Sequence, residues 1–285
     1  MTKPWNVTQI APAGYVHAHA LDDVAEYLAA MLASCGARVT RSTNHIDTAS
    51  YNVVVGGHLL AEAHVAGLPG DTIMFNSEQL AQADNPLITP VYRVALERFR
   101  VWDYSATNVP LIPHARVTVI PFAYCAAMVR GDREYRPGDA LVFHGAVTPR
   151  RDAILGALRA AGVRVEVAFT EYGTARDARM FRARAVLDLR KADDTAAATP
   201  IRCFYPLTNG IPVISEISAD PTAAAFAGEM WTVSGEELPA AVGALWADPA
   251  AFHAEAAERG ARFRARTATA EIVAAIDDHT RKSES

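Results

Sequence analysis

The sequence has only three cysteines, and their positions exclude a scaffold built on disulfides or zinc. Cys35, Cys125 and Cys203 lie far apart and form neither a CxxC pair nor a zinc-ligand spacing. Long apolar runs are also missing, because none approaches the roughly 18 residues of a membrane helix. The N-terminus shows no signal-peptide pattern. We therefore expect a cytoplasmic protein without an integral membrane segment.

A surplus of positive charge is absent as well. The 285 residues include 27 Lys and Arg against 32 Asp and Glu, which gives a net charge of −5. That balance argues against a general binder of nucleic acid or of anionic membranes. The content of 51% hydrophobic and 21% charged residues is typical of a globular protein.

Motifs of several enzyme classes are missing. No glycine-rich turn continues into Gly-Lys-Ser/Thr, and no G-x-G-x-x-G follows a predicted strand, so a P-loop is excluded and a dinucleotide-dependent dehydrogenase is disfavoured. Neither a G-x-S-x-G elbow nor an H-E-x-x-H pair occurs. His17 and His19 have no evident third ligand, and Asp193-Asp194 falls in a predicted loop. We therefore predict no metal site.

Strands alternate with helices through the second half of the chain. Strands are predicted at 140–144, 163–169, 186–189, 211–215 and 230–233, with helices at 150–161, 176–185, 200–208 and 221–227. The first half follows the same scheme, with helices at 21–32 and 90–99 and strands at 37–40, 51–56, 71–75 and 117–122. This alternation predicts an α/β protein with parallel sheets.

A charged, turn-rich stretch, residues 130–139, is the predicted linker between two domains. It separates an N-terminal domain, 1–130, from a C-terminal domain, 139–285. We expect two Rossmann-like domains facing a cleft, with the last helix packing back on the first domain.

Two similar segments point to an anion site in the second half. They are Thr148-Pro149-Arg150-Arg151 and Thr199-Pro200-Ile201-Arg202. In each, Thr is a candidate N-cap, Pro the first helical residue, and an Arg follows in the first turn. A cation there opposes the helix dipole, so its presence favours a bound anion such as phosphate. The alternative is ordinary surface arginines behind a capping Thr.

Polar residues follow the predicted strands, where ligands of open parallel sheets bind. Glu216 ends one strand and can accept both hydroxyls of a ribose; the alternative is a solvated loop acid. In the first half, Asn76-Ser77-Glu78-Gln79 and the segment 102–108 suit a sugar or another polyol. Glu78 is either a general base or a helix cap, and Asp103 is either a base or a turn former.

Taken in order, these residues resemble the GT-B glycosyltransferases, and in particular a bacterial and viral group of them. The resemblance in the second half rests on Phe143-His144-Gly145, Arg150-Arg151, Tyr172-Gly173, Arg202 and Val213-Ile214-Ser215-Glu216. In the first half it rests on Asn76-Ser77-Glu78-Gln79, Trp102-Asp103-Tyr104-Ser105 and Asn108. One element differs, because Leu187-Asp188-Leu189-Arg190 stands where the group often shows Leu-Asn-x-His.

The resemblance implies a metal-independent, hexosyltransferase-like enzyme that uses a nucleotide-sugar as co-substrate and needs no further cofactor. The implied donor and phosphate ligands are Gly145, Arg150, Arg151, Tyr172, Gly173, Arg202 and Glu216. Arg202 and Arg151 would neutralise the leaving diphosphate, and Glu216 would hold the ribose. The acceptor, a sugar or another small molecule, would meet Asn76, Tyr104 and Asn108. An inverting enzyme would take its base from Glu78, Asp103, His17 or His19.

Three other functions remain open at this point. One is a nucleotide-sugar epimerase or hydrolase on the same fold. Another is a catalytically silent GT-B partner subunit, which the difference at Asp188–Arg190 would suit. The last is a binding protein with two Rossmann lobes, a class that normally carries a signal peptide.

Overall fold

A computed structural model describes residues 3–82, 85–112, 116–192 and 200–283. It divides the chain into two units, each with one parallel sheet and helices connecting its strands. The first unit contains the chain up to Ala127 together with the segment from Thr267 onward, and the second contains Met128–Arg266. The predicted α/β class, with two Rossmann-like domains, is thereby confirmed. None of the described helices is both long and apolar enough to span a membrane.

The first unit contains six described strands in the order β2-β1-β3-β4-β5-β6. The strands are β1 Trp5–Gln9, β2 Val39–Thr43, β3 Tyr51–Val55, β4 Ile73–Asn76, β5 Arg100–Asp103 and β6 Val117–Val119. Its helices are α1 Asp22–Ser34, α2 Glu62–Ala66, α3 Pro90–Arg98 and α10 Thr269–Ser283. The apolar face predicted for the first helix region is buried, at Leu21, Val24, Ala25, Leu28 and Leu32.

The sequence does not predict β1, although this strand lies between β2 and β3 inside the sheet. All five of its residues are buried, and Asn6, Thr8 and Gln9 are polar. Their side chains find partners from distant segments: Asn6 Nδ2, for example, donates to Asn52 Oδ1 at 2.9 Å. Burying polar groups is tolerated when they are hydrogen-bonded, and such partners are invisible in a local sequence pattern.

The second unit contains five described strands in the order β11-β10-β9-β7-β8. The strands are β7 Leu141–His144, β8 Val165–Ala168, β9 Ala185–Asp188, β10 Val213–Glu216 and β11 Trp231–Val233. Its helices are α4 Pro149–Ala160, α5 Gly173–Met180, α6 Pro200–Thr208, α7 Pro221–Ala224, α8 Leu238–Ala247 and α9 Pro249–Ala265. The predicted linker, residues 130–139, lies in this unit, where the Tyr135 hydroxyl donates to the main-chain oxygen of Arg184 at 2.8 Å.

Several element boundaries differ from prediction by a few residues, and two of these differences have a local cause. The helix predicted at 176–185 begins at Gly173 and ends at Met180, because the Arg184 main-chain N–H already donates to the Ala140 oxygen at 2.7 Å and leads into β9. The strand predicted at 117–122 ends at Val119. Pro121, two residues on, has no N–H group to donate to a neighbouring strand.

Candidate functional site

The carboxyl ends of β7, β9 and β10 bring most of the predicted donor ligands together. Because parallel strands end at the same edge of a sheet, Gly145, Asp188 and Glu216 lie near one another, beside the first turn of α4. We call the residues at this place the arginine edge: Gly145, Arg150, Arg151, Asp188, Arg190, Arg202 and Glu216. The predicted start of α4 is confirmed, with Pro149 first in the helix and Thr148 accepting from the Arg151 main-chain N–H.

Glu216 is buried at this edge and bound by two arginines. Arg150 Nη1 donates to Oε2 at 2.9 Å, and Arg150 Nη2 donates to Oε1. The Arg190 main-chain N–H donates to Oε2 and its Nη2 to Oε1, both at 3.0 Å. Burial by itself raises the pKa of Glu216, but the hydrogen bonds from the two arginines outweigh it and hold the pKa below its usual value. The alternative of a solvated loop acid is wrong.

Arg151 is buried and donates to main-chain oxygens. Its Nη2, Nη1 and Nε donate to the oxygens of Leu189, Ala146 and Arg190 at 2.6, 2.9 and 3.1 Å. Burial, followed by the positive charge of Arg202, lowers the pKa of Arg151 to about 9. These bonds fix the loops that follow β7 and β9, so Arg151 is not an ordinary surface arginine.

Arg202, in the first turn of α6, places its guanidinium beside Gly145. A Cβ added to Gly145 would lie 3.7 Å from Arg202 Nη1, and the φ of +147° at Gly145 favours glycine. Arg202 Nη1 is 3.7 Å from Asp188 Oδ1 and has no hydrogen-bond partner among the described residues. The side chain is 32% exposed. Thr199, the predicted cap of α6, lies outside the described residues, as does Asp193-Asp194.

His144, Tyr172 and Gly173 lie next to this edge. His144 Nε2 is 2.7 Å from the main-chain oxygen of Glu171, and its ring meets that of Tyr172 edge-on at 5.9 Å. Burial lowers the pKa of His144 to about 4, so the imidazole is neutral at neutral pH. Gly173 begins α5 with a φ of +53°, a conformation that favours glycine.

In the first unit, Asn76, Asp103 and Asn108 form one fully buried network at the ends of β4 and β5. Asp103 Oδ2 accepts from Asn76 Nδ2 at 2.7 Å, and Oδ1 accepts from Asn108 Nδ2 at 3.1 Å. Asp103 Oδ1 also accepts from the Ser105 main-chain N–H at 2.8 Å, which confirms the turn-forming alternative. Tyr104 is buried too, with its ring centroid 6.5 Å from that of Phe122.

Glu78 lies just beyond this network and has looser contacts. Its oxygens are 3.3 Å from Asn85 Nδ2, 3.4 Å from Ser77 Oγ and 3.4 Å from His58 Nδ1. The Glu78 side chain is 15% exposed and that of His58 only 5%. The helix-cap alternative for Glu78 is wrong, since the next described helix, α3, is capped by Thr89.

His17 lies in a short 3-10 turn, half-buried, with its ring 5.6 Å from that of Tyr15. His19 is 3.1 Å from the Asp22 carboxylate. Within the described residues, no three His, Cys, Asp or Glu side chains are grouped as a metal site would require.

Sequence reasoning missed three residues that the structure brings to these places. Arg190 was noticed only as a difference from a motif, and His58 and Gly235 were not singled out. A Cβ on Gly235 would lie 2.9 Å from Glu216 Oε1 and 3.4 Å from Arg150 Nη2. For Gly235 the only local signal was its position just after the last strand of the sheet.

Comparisons with known proteins place the fold. No family model matches the chain. "Uncharacterized protein L140" of Acanthamoeba polyphaga mimivirus is 27% identical over 151 residues, which are 51% of this chain and 49% of that protein. The match therefore spans about half the length of this curated relative.

Three solved structures are similar over nearly the whole chain. AviGT4, "a glycosyltransferase involved in Avilamycin A biosynthesis", is 14% identical with a TM-score of 0.55, over 98% of both chains. WaaG, "a glycosyltransferase involved in lipopolysaccharide biosynthesis", is 12% identical with a TM-score of 0.55. Anabaena Alr3699/HepE in complex with UDP is 12% identical with a TM-score of 0.54. The latter two alignments cover 97% of this chain and 99% of the other. At these identities the similarity establishes the fold, which is of the GT-B type.

Proposed function

We propose that the chain is a glycosyltransferase that uses a nucleotide-sugar donor, and that its second unit binds that donor. The proposal is supported by the arginine edge and by the similarity of the fold to solved glycosyltransferases, among them a protein in complex with UDP. The arginine edge lies at the carboxyl ends of parallel strands, which is where open α/β sheets bind their ligands.

The charge of the arginine edge favours an anionic ligand. It contains four arginines against two carboxylates, so positive charge is in excess at a largely buried place. Guanidinium groups bind phosphate oxygens through paired, charge-assisted hydrogen bonds. A diphosphate fits this excess better than a neutral sugar does.

Arg202 is the observation that carries the proposal. The guanidinium groups of Arg150, Arg151 and Arg190 are bonded to Glu216 or to main-chain oxygens. Arg202, by contrast, is partly exposed; among the described residues its Nη1 has no hydrogen-bond partner and only a long ion pair, 3.7 Å from Asp188 Oδ1. Its charge is therefore available to a diphosphate beside Gly145.

In the reaction we propose, the bond between the anomeric carbon and the diphosphate oxygen breaks, and an acceptor hydroxyl forms the new bond. Negative charge grows on the leaving diphosphate, and Arg202 stabilises that charge. Because fixed guanidinium groups supply the positive charge, we propose that transfer needs no divalent metal. Glu216 holds the ribose of the donor.

Glu78 is the base we propose for the acceptor hydroxyl. A base needs a carboxylate oxygen that can still accept a proton. Asp103 is fully buried, with contacts of 2.7 to 3.1 Å from three donors. Glu78 is partly exposed, and its contacts are 3.3 to 3.4 Å, beyond the usual length of a charge-assisted hydrogen bond. Asn76 and Asn108 bind the main chain of Glu78 through their side-chain amides, and Asp103 in turn accepts from both asparagines.

Thermal-shift screening against UDP-, GDP-, dTDP- and CMP-sugars tests donor binding directly. A sugar donor at 100 times its dissociation constant should raise the free energy of unfolding by about 2.7 kcal/mol. The same screen on Arg202→Ala should lose most of that shift. If none of these nucleotide-sugars stabilises the protein, it is not a glycosyltransferase that uses such donors.

A further inference from the structure

The acceptor capacity of Glu216 is fully used in this structure. An ionised carboxylate offers about four lone-pair positions. Four donors occupy them, two from the Arg150 guanidinium and two from Arg190, one of these being its main-chain N–H. A ribose also needs these positions, because its hydroxyls would donate to the same oxygens. Nucleotide binding and the arginine contacts therefore compete.

Of the groups in these contacts, the arginine side chains are more exposed than the Glu216 carboxylate and can move more easily. The Glu216 side chain is 1% exposed at the end of β10, an inner strand of the sheet, whereas the side chains of Arg150 and Arg190 are 19% and 25% exposed on long flexible stems. Gly235, in the loop that follows the neighbouring strand β11, packs so close to Glu216 that an added Cβ would lie 2.9 Å from Oε1. Glu216 is thus held in place.

We propose that Arg150 and Arg190 mask Glu216 until a diphosphate draws their guanidinium groups away, so that the site selects nucleoside diphosphates over nucleosides. This inference rests on the proposed function and adds a specificity role for Arg190. A diphosphate offers the arginines new charge-assisted bonds in exchange for those to Glu216. A nucleoside offers no anion, so its ribose must break the same contacts without replacement, which weakens its binding.

Arg190→Met separates this role from simple phosphate attraction. The substitution removes the Nη2 contact to Oε1 and retains both the apolar stem and the main-chain N–H. We expect uridine, guanosine or thymidine, whichever base the wild type prefers, to bind more tightly to the variant. The matching diphosphate, UDP, GDP or dTDP, should bind more weakly. The ratio of the two dissociation constants, measured by calorimetry, should shrink by about tenfold or more.

Arg159→Met, an exposed arginine on the same helix as Arg150, is the control and should leave the ratio unchanged. If Arg190→Met fails to fold, arginine side-chain NMR of the wild type replaces it: UDP should shift the guanidinium signals of Arg150 and Arg190, and uridine should not. If Arg190→Met leaves the ratio of the nucleoside and diphosphate dissociation constants unchanged, the masking proposal is wrong. It is also wrong if UDP does not shift the guanidinium signals of Arg150 and Arg190. Neither result contradicts the proposed binding of the donor. A wild type that binds none of the six compounds overturns the proposed function as well.

Discussion

Arg190 binds Glu216 twice, through its main-chain N–H to Oε2 and through its guanidinium to Oε1, each at 3.0 Å. Arg190 belongs to the segment Leu187-Asp188-Leu189-Arg190, which differs from the Leu-Asn-x-His of the glycosyltransferase group that the sequence resembles. The difference from the group therefore includes Arg190, which contacts Glu216, the residue that we propose binds the ribose.

Replacing Arg202 should weaken diphosphate binding while the fold stays intact. Hydrogen bonds to charged groups contribute roughly 1.5–3 kcal/mol, so Arg202→Ala should weaken UDP, GDP or dTDP binding by about tenfold to a hundredfold. Transfer should fall further, to near background, since the charge it stabilises develops during the reaction. Calorimetry and a transfer assay measure the two effects. Arg159→Ala is the matched control, and full transfer by a folded Arg202→Ala protein would remove the diphosphate role.

Chelation of divalent cations should leave sugar transfer unchanged. In the proposed mechanism the arginines provide the positive charge that stabilises the leaving diphosphate, so no metal is needed for it. The measurement compares initial rates in excess EDTA with rates in added Mg²⁺ or Mn²⁺. A parallel reaction with donor alone shows whether product forms without an acceptor, as a hydrolase or an epimerase would produce it. Strict dependence on either metal contradicts the proposed mechanism.

Glu78→Gln should lower turnover by roughly 10²-fold or more with little change in donor affinity, because a base acts only in the chemical step. Steady-state kinetics together with donor calorimetry separate these effects. Glu62→Gln, at an exposed position of α2 in the same unit, is the control and should keep full turnover. Near-normal turnover of Glu78→Gln would leave the role of the base to His17, His19 or Asp103, or to no residue, as in a retaining enzyme.

Asp103→Asn should destabilise the first unit by roughly 1.5–3 kcal/mol. In the wild type the Asn76 side-chain amide donates to Asp103 Oδ2. In the variant, the new side-chain amide at position 103 would place a second donor against that donor. Urea denaturation measures the loss. Asp277→Asn, on the exposed face of α10, should change the free energy of unfolding by less than about 0.5 kcal/mol. A stable Asp103→Asn protein that has lost turnover would instead identify Asp103 as the base.

Two glycines near α4 should respond to alanine in opposite ways. Gly235→Ala brings a Cβ to 2.9 Å from Glu216 Oε1 and should weaken both stability and nucleotide binding, by about 1 kcal/mol or more each. Gly156, inside α4, has no atom within 4 Å of an added Cβ, so Gly156→Ala should stabilise by roughly 0.5–1 kcal/mol. Thermal unfolding with and without UDP measures both. Equal effects of the two substitutions would show that Gly235 does not hold Glu216.

Local patterns alone predicted the alternation of strands and helices and the start of α4. These features depend on neighbours in sequence: apolar periodicity, a capping Thr, and a Pro at the first helical position. The same reasoning marked Arg150, Arg202 and Glu216, because strand ends and helix starts are where a parallel sheet presents its polar groups.

The tertiary structure decided what each marked residue contacts. Arg150 and Arg151 are neighbours in sequence, yet successive helix residues point about 100° apart, so one reaches Glu216 and the other the oxygens of Leu189 and Ala146. The strand β1 and the contact of His58 with Glu78 also depend on partners far along the chain. The sequence determines which polar residues follow the strands and begin the helices. Only the tertiary structure determines which carboxylates and main-chain oxygens they bind, because those partners come from other strands and loops.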